Sequence, residues 1–138
     1  MTTSELIPPD TEGALRDYLR ADAGVQVRMA QRVFFGATNP EYPCATLTRI
    51  GGGGANMANV DDALIQVDVW GEVRDKAGCW TSTAAVLAAL RALAFTPATI
   101  TGKARLHSSG ATSWAWLPDV ASERSRYSIT VPVTAVAV

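Results

Sequence analysis

The chain has 138 residues, enough for one domain that buries about two thirds of the surface its unfolded form would expose. Twelve Lys and Arg against 13 Asp and Glu leave a formal net charge of -1, too even a balance for a general electrostatic grip on nucleic acid, although a protein that only lets DNA pass needs none. Cys44 and Cys79 lie far apart without a CxxC pairing, which excludes a zinc knuckle or a disulfide framework; both read as reduced, small hydrophobes.

The start, Met1-Thr2-Thr3-Ser4-Glu5, lacks the basic region and apolar stretch of a signal peptide and favours a cytoplasmic origin, with residues 1–9 expected to be flexible. Pro8-Pro9-Asp10-Thr11-Glu12 then forms a helix entry. Asp10 or Thr11 can cap, and the acidic residues suit the positive end of the helix dipole. Leu15, Leu19 and Tyr18 make the apolar stripe of a helix running to about Ala23, and Gly24 is placed for a left-handed stop.

From Val25 the period becomes two. Val25, Val27 and Met29 alternate with Gln26, Arg28 and Ala30, which predicts a first strand continuing through Val33-Phe34-Phe35 to Gly36. The prolines of Asn39-Pro40-Glu41-Tyr42-Pro43 mark a turn, and a second strand follows from Cys44 to Ile50 with a mixed pattern that leaves its faces unassigned. The run Gly51, Gly52, Gly53, Gly54, Ala55, Asn56 has little side chain and much backbone freedom, so residues 51–60 are expected to be a flexible loop. A phosphate-binding reading fails because no Gly-Lys-Ser/Thr opens a helix there. Two readings stay open: a plain hairpin tip, or an arm that orders against a partner, with Gly51–Gly54 and Asn56 as the contact residues.

The centre of the chain is a strand followed by a helix. In Leu64-Ile65-Gln66-Val67-Asp68-Val69-Trp70 the residues Ile65, Val67 and Val69 share the face that should meet the helix; Asp68, opposite, reads as a hydrogen-bonded carboxylate rather than a catalytic acid. The helix begins near Val73 to Asp75, with Trp80, Thr83, Leu87, Leu90 and Ala94 on its core stripe, widened by Val86 and Leu93. Its other side carries Thr81, Ala85, Ala88, Ala89 and Ala92, and no residue between Lys76 and Arg91 is charged. Alanine promotes helix by itself, but small side chains also let another backbone come close, so Ala85, Ala88, Ala89 and Ala92 are the candidate contact with a neighbouring subunit. The uncharged run is too short and too rich in Ser and Thr to span a bilayer.

Thr96-Pro97 ends the helix. A strand from Ala98 to His107 is expected to place Thr99, Thr101, Lys103, Arg105 and His107 on a wet face and Ile100, Ala104 and Leu106 on a dry one. After a turn at Ser108-Ser109-Gly110, the return strand Ala111 to Leu117 brings Trp114 and Trp116 together, for packing or as a stacking platform for a base or sugar. The final strand, from Ser122, turns Tyr127, Ile129, Val131 and Val133 inward and Arg126, Ser128, Thr130 and Thr134 outward. Pro132 places it at an edge or at a bulge, and its apolar end is an aggregation liability if left free. His107 reads as a surface strand residue, and Arg124 and Arg126 as solvating or ion-pairing groups. No catalytic, metal or cofactor constellation is present in the sequence, so none is assigned.

The order is therefore α-β-β-β-α-β-β-β: a single α+β domain with a mainly antiparallel mixed sheet and two helices packed on it. With Leu64-Ile65-Gln66-Val67-Asp68-Val69-Trp70, the Ala-rich helix after it, Tyr42-Pro43 leading into the second strand and the closing Arg126-Tyr127-Ser128-Ile129-Thr130-Val131, the chain resembles the tail terminator, or tail completion, proteins of long-tailed bacteriophages. The resemblance implies a homo-oligomeric ring, usually a hexamer, seated on the last ring of the tail tube protein. It implies a surface for the neck or head-completion proteins and a lumen through which DNA passes unbound. It transfers no site residues. The alternatives are a neck connector, or a small-molecule-binding α+β domain using Trp114, Trp116, Arg124 and Arg126.

Overall fold

The computed structural model describes residues 7–36, 40–54, 59–110 and 112–138. Helix α1 spans Thr11–Ala21, α2 Ala23–Met29 and α3 Lys76–Ala92; the strands are β1 (Val33–Phe34), β2 (Cys44–Gly54), β3 (Val60–Val73), β4 (Ala98–Ile100), β5 (Ala104–Ser108), β6 (Ser113–Trp116) and β7 (Arg124–Ala137). They form one sheet in the order β1-β2-β3-β7-β5-β4, with β6 also paired to β7; only β1–β2 is parallel. The fold is α+β, with a mixed, mostly antiparallel sheet, as the pattern predicts, but with three helices and seven strands among the described residues rather than two and six.

The extra helix comes from a segment expected to be a strand. Asp10 caps α1 by accepting from Gly13 N–H at 3.1 Å, and Leu15 and Leu19 are fully buried as expected. Asp22 then does two jobs: its N–H bonds Leu19 O, closing α1, and its carboxylate accepts from Val25 N–H at 3.0 Å, opening α2. Val25 and Met29, one turn apart, are fully buried, whereas Val27 is 82% exposed. A strand would have put all three on one face. Gly24 lies inside α2 and stops nothing, and the expected first strand shrinks to β1.

The glycine run is likewise not a loop where it is described. Gly51–Gly54 extend β2 and pair with Leu64 to Asp61 of β3, after a register shift at Ile50. Gly52 sits at φ +93°, and a β-carbon there would press onto the Asp62 carbonyl oxygen and come within 2.8 Å of Ala63 Cα; this close crossing of two backbones is what glycine permits. Asn56 lies outside the described residues. Beside this ladder Asp61, 6% exposed, accepts both Arg49 guanidinium nitrogens at 2.6 and 2.8 Å and the Thr11 hydroxyl, tying the start of α1 to the β2–β3 hairpin.

The segment 98–107 is a hairpin rather than one strand, because Gly102 turns the chain at φ +75° between β4 and β5. Ala104 and Leu106 are buried and Arg105 and His107 exposed, as alternation requires. The final strand is not an edge. β7 lies between β3 on one side and β6 and β5 on the other. Ala137 N–H reaches Asn59 O on the β3 side and Arg126 O accepts from Leu117 N–H on the β6 side, so even-numbered residues of β7 aim their backbone groups towards β6 and β5. Pro132 therefore directs its missing donor into the gap where β6, ending its register at Thr130, gives way to β5, beginning at Val133. The apolar end to Ala137 is fully paired and carries no free edge.

One core fills the space between the helices and one sheet face. Ile65, Val67, Val69, Ile129, Val131, Val133 and Leu106 meet Leu15, Leu19, Val86, Leu90 and Leu93, all buried. Among the described residues no helix lies over the other sheet face. Thr46, Gln66, Asp68, Trp70, Ser128, Thr130 and Thr134 lie half-buried along it.

Candidate functional site

Two surfaces carry the side chains that do no work in the core. The first is the outer side of α3. Asp75 caps the helix through Gly78 N–H, and Cys79, Thr83, Val86, Leu87 and Leu90 turn inward. Of the four alanines expected to be outward, Ala88 and Ala92 are exposed, Ala85 is half-buried, and Ala89 is a correction: it is buried in the core, where α2 packs against α3 and the Tyr18 hydroxyl donates to its carbonyl at 2.6 Å. The small side chains thus serve a close contact within the chain on one flank and leave an apolar ridge on the outside. Burial in that contact pushes the Tyr18 hydroxyl pKa up.

Trp80 corrects the expected core stripe. It lies on the opposite flank, 39% exposed, where its ring meets those of Tyr127 and Trp114, centroids 5.3 and 6.3 Å away; Trp116 also stacks on Tyr127. Of the β6 tryptophans, Trp116 is half-buried against Tyr127, whereas Trp114, in contact with Trp80, stays 40% exposed. Lys76 stands 5.2 Å over Trp116 and Arg91 5.2 Å over Trp114. Neither cation has a carboxylate within 4 Å among the described residues, and α3 and β6 contain no acidic residue. At the end of the ridge Phe95 is 87% exposed. The sequence signal for this surface was present in the missing charges between Lys76 and Arg91, but periodicity alone placed Trp80 on the wrong flank.

The second surface is the open sheet face. Asp62 accepts from the Thr134 hydroxyl at 2.7 Å and Asp68 from Gln66 Nε2 at 3.0 Å; neither has a cationic partner among the described residues. Trp70 donates to Thr46, and Arg126 stacks over Trp70 at 4.9 Å while donating to the Leu117 carbonyl. Arg124 stacks over Tyr42 at 3.8 Å. A shallow cleft of about 220 Å³ lies there, lined by Pro40, Tyr42, Cys44, Thr46 and Trp70. Its thiol is a poor nucleophile, since burial pushes the Cys44 pKa up to about 11. His107 is exposed on β5, and no group of three His, Cys, Asp or Glu among the described residues could hold a metal ion. No helix is long and apolar enough to cross a membrane among the described residues.

The site is thus a pair of surfaces and not a chemical centre, and comparison with known proteins decides which class of surface protein this is. The family model described as "Tail completion protein gp17" matches residues 13–136. The chain belongs to that family. It is a phage tail completion protein, a structural component of the virion rather than of an enzyme family. No curated protein sequence matches it. A chain from the "Virion of native gene transfer agent (GTA) particle" has a similar fold, at TM-score 0.65 and 15% identity, over 92% of this tail completion protein and 95% of that chain. At this identity the likeness is one of fold.

Proposed function

We propose that this tail completion protein forms a closed ring, a hexamer, on the head-proximal end of the tail tube. The ring ends tube polymerisation and presents the surface on which neck proteins join head to tail. The observation that carries the reading, with the family membership, is the outer face of α3: an apolar ridge bearing Trp80, Ala88, Ala92 and Phe95 is costly to leave in water and is the kind of patch that marks a protein contact. A net charge of -1 suits a lumen that passes DNA without holding it. The relative from a gene transfer agent particle supports the use of this fold inside an assembled particle. Assembly would take place in the host cytoplasm, with the tube protein and a neck protein as the two other partners. In this reading the β2–β3 hairpin end, with Gly51–Gly54 held in the ladder, and Asn56 beyond it, remain the candidate contact with tube or neck.

The experiment is removal of the gene followed by electron microscopy of the lysate. Overlong tails support the terminator; tails of normal length lying free of heads would sink it in favour of a neck connector. Light scattering on the purified protein, alone and with tail tubes, reads ring formation directly.

A further inference from the structure

A strand edge without a neighbour is a template for another strand unless something blunts it. Three such edges are blunted here. β1 has two residues; β4 has three and follows Pro97; β2, beyond the two residues that β1 covers, is bent by the register shift at Ile50 and by Gly52 at φ +93°. The outer edge of β6 is different: its four residues, Ser113 to Trp116, keep one unbroken register with β7, include no charge and no proline, and pair with no strand on the other side among the described residues. Leu117 N–H donates to Arg126 O, so the odd-numbered residues of β6 aim their backbone groups at β7 and the even-numbered ones aim theirs away. The outward groups are the N–H and C=O of Trp114 and Trp116, and they make no hydrogen bond among the described residues. The two indole rings turn to the helix side, towards Trp80 and Tyr127, while Ser113 and Ala115 lie on the other face beside Thr130 and Ser128. Leu117 and Val120, which follow the strand, are 49% and 92% exposed.

We propose that β6 is a strand-addition site and that its occupant is an extended segment of the last tail-tube ring. The inference rests on the terminator reading above and names a contact through which it acts. Main-chain hydrogen bonds to Trp114 and Trp116 hold such a segment whatever its sequence, and the two faces of β6 set its pattern: apolar residues beside the half-exposed Trp114 ring, small or polar ones beside Ser113 and Ala115, in alternation. A second folded copy has no described strand to give, because its remaining edges are the blunted ones. Two β6 strands paired about a two-fold axis would bring Lys76 and Arg91 of both copies together, with no acidic residue on α3 or β6 to offset them, and would close after two subunits. A tube end fits better. Its next ring never arrives, so the segments that would have met that ring are left without a mate, and a protein that ends polymerisation must cover them.

The test is amide hydrogen exchange on the full-length protein, alone and bound to purified tail tubes, read at single residues by fragmentation mass spectrometry. Alone, the Trp114 and Trp116 amides exchange fast and those of Ala115 and Leu117 slowly; on tubes the first two are expected to slow by at least ~10-fold. Two variants isolate the backbone. Trp114→Ala and Trp114→Pro both lose the ring, but only proline also lacks the outward donor, at a position where an edge strand tolerates it. With native circular dichroism in both, the proline variant is expected to bind tubes at least ~10-fold more weakly than the alanine variant. Tube binding without slowed exchange at Trp114 and Trp116, or equal binding by the two folded variants, overturns strand addition and leaves the terminator reading standing. Slow exchange at both residues before tubes are added assigns the edge to a second copy and overturns the tube as its occupant. A wild type that does not bind tubes removes the terminator reading and this contact with it. If the proline variant does not fold, the exchange measurement decides alone.

Discussion

Gly52→Ala is expected to unfold this protein at a markedly lower temperature, although the substitution adds one methyl group to a run of four glycines. At φ +93° an L-residue is strained by about 1–3 kcal/mol. The new β-carbon also meets backbone that cannot swing aside, the Asp62 carbonyl, Ala63 Cα and Leu64 N, and overpacking of this kind costs a further ~1–3 kcal/mol. Against this stands a gain of about 0.4–1 kcal/mol from a stiffer unfolded chain. The net loss is ~3 kcal/mol, and at ~3 °C per kcal/mol for a domain of this size the midpoint falls by ~9 °C. Gly53→Ala is the internal control: nothing lies within 4 Å of its added carbon, so only the unfolded-state gain remains and the midpoint rises by ~1–3 °C. Differential scanning calorimetry on both variants decides it. If the two alanines shift the midpoint alike and by a degree or less, the glycine run is not held in the β2–β3 ladder and the reasoning fails.

Asp61→Asn should cost ~2 kcal/mol near neutral pH, less than a fully buried pair because Arg49 is partly solvated. The Arg49 hydrogen bonds hold the Asp61 pKa below the ordinary carboxylate value, so this contribution is present above the unfolded value of ~4 and disappears as pH falls through the lower folded one; chemical denaturation of wild type and variant should converge in strong acid. Val25→Ala should lose ~2 kcal/mol and Val27→Ala less than ~0.5, a contrast that urea melts can resolve and that a strand at 25–29 would not produce. Ala88→Glu should weaken assembly, read by light scattering, with the melting temperature kept. Ala89→Arg should destabilise the fold itself by ~3 kcal/mol, and so lower the melting temperature before assembly is reached, since Ala89 is buried where α2 packs on α3 and Tyr18 bonds its carbonyl.

Strands buried on one face were legible because alternation has one interpretation over a long run: β3 and β7 carry the burial expected at every position from Leu64 to Trp70 and from Tyr127 to Val133. The cap and stripe of α1 were legible for a similar reason. Val25, Val27 and Met29 were not, since apolar residues two and four apart fit both periods over so short a span, and the decision lay with Asp22, a cap that an earlier helix end concealed. Glycines in a strand leave no alternation to read, so Gly51–Gly54 could be placed only by their partners on β3. Of the proposed contact surface, the want of charge along α3 was visible, but which flank faced α2 and which faced β6 depended on tertiary packing.

The position of β7 has a consequence for how the molecule is made. Its register partners on β3, such as Val67 for Ile129, are distant in sequence, and it is the strand to which β6 and β5 are also pinned. A ribosome that has delivered everything through β6 has therefore delivered a sheet without its middle, with β3 showing an unpaired edge and the inner face of α3 lacking half its support. Sheet closure must wait for the C-terminal strand. Any surface that depends on both sides of a finished sheet is thus withheld from a nascent chain and becomes available in one step.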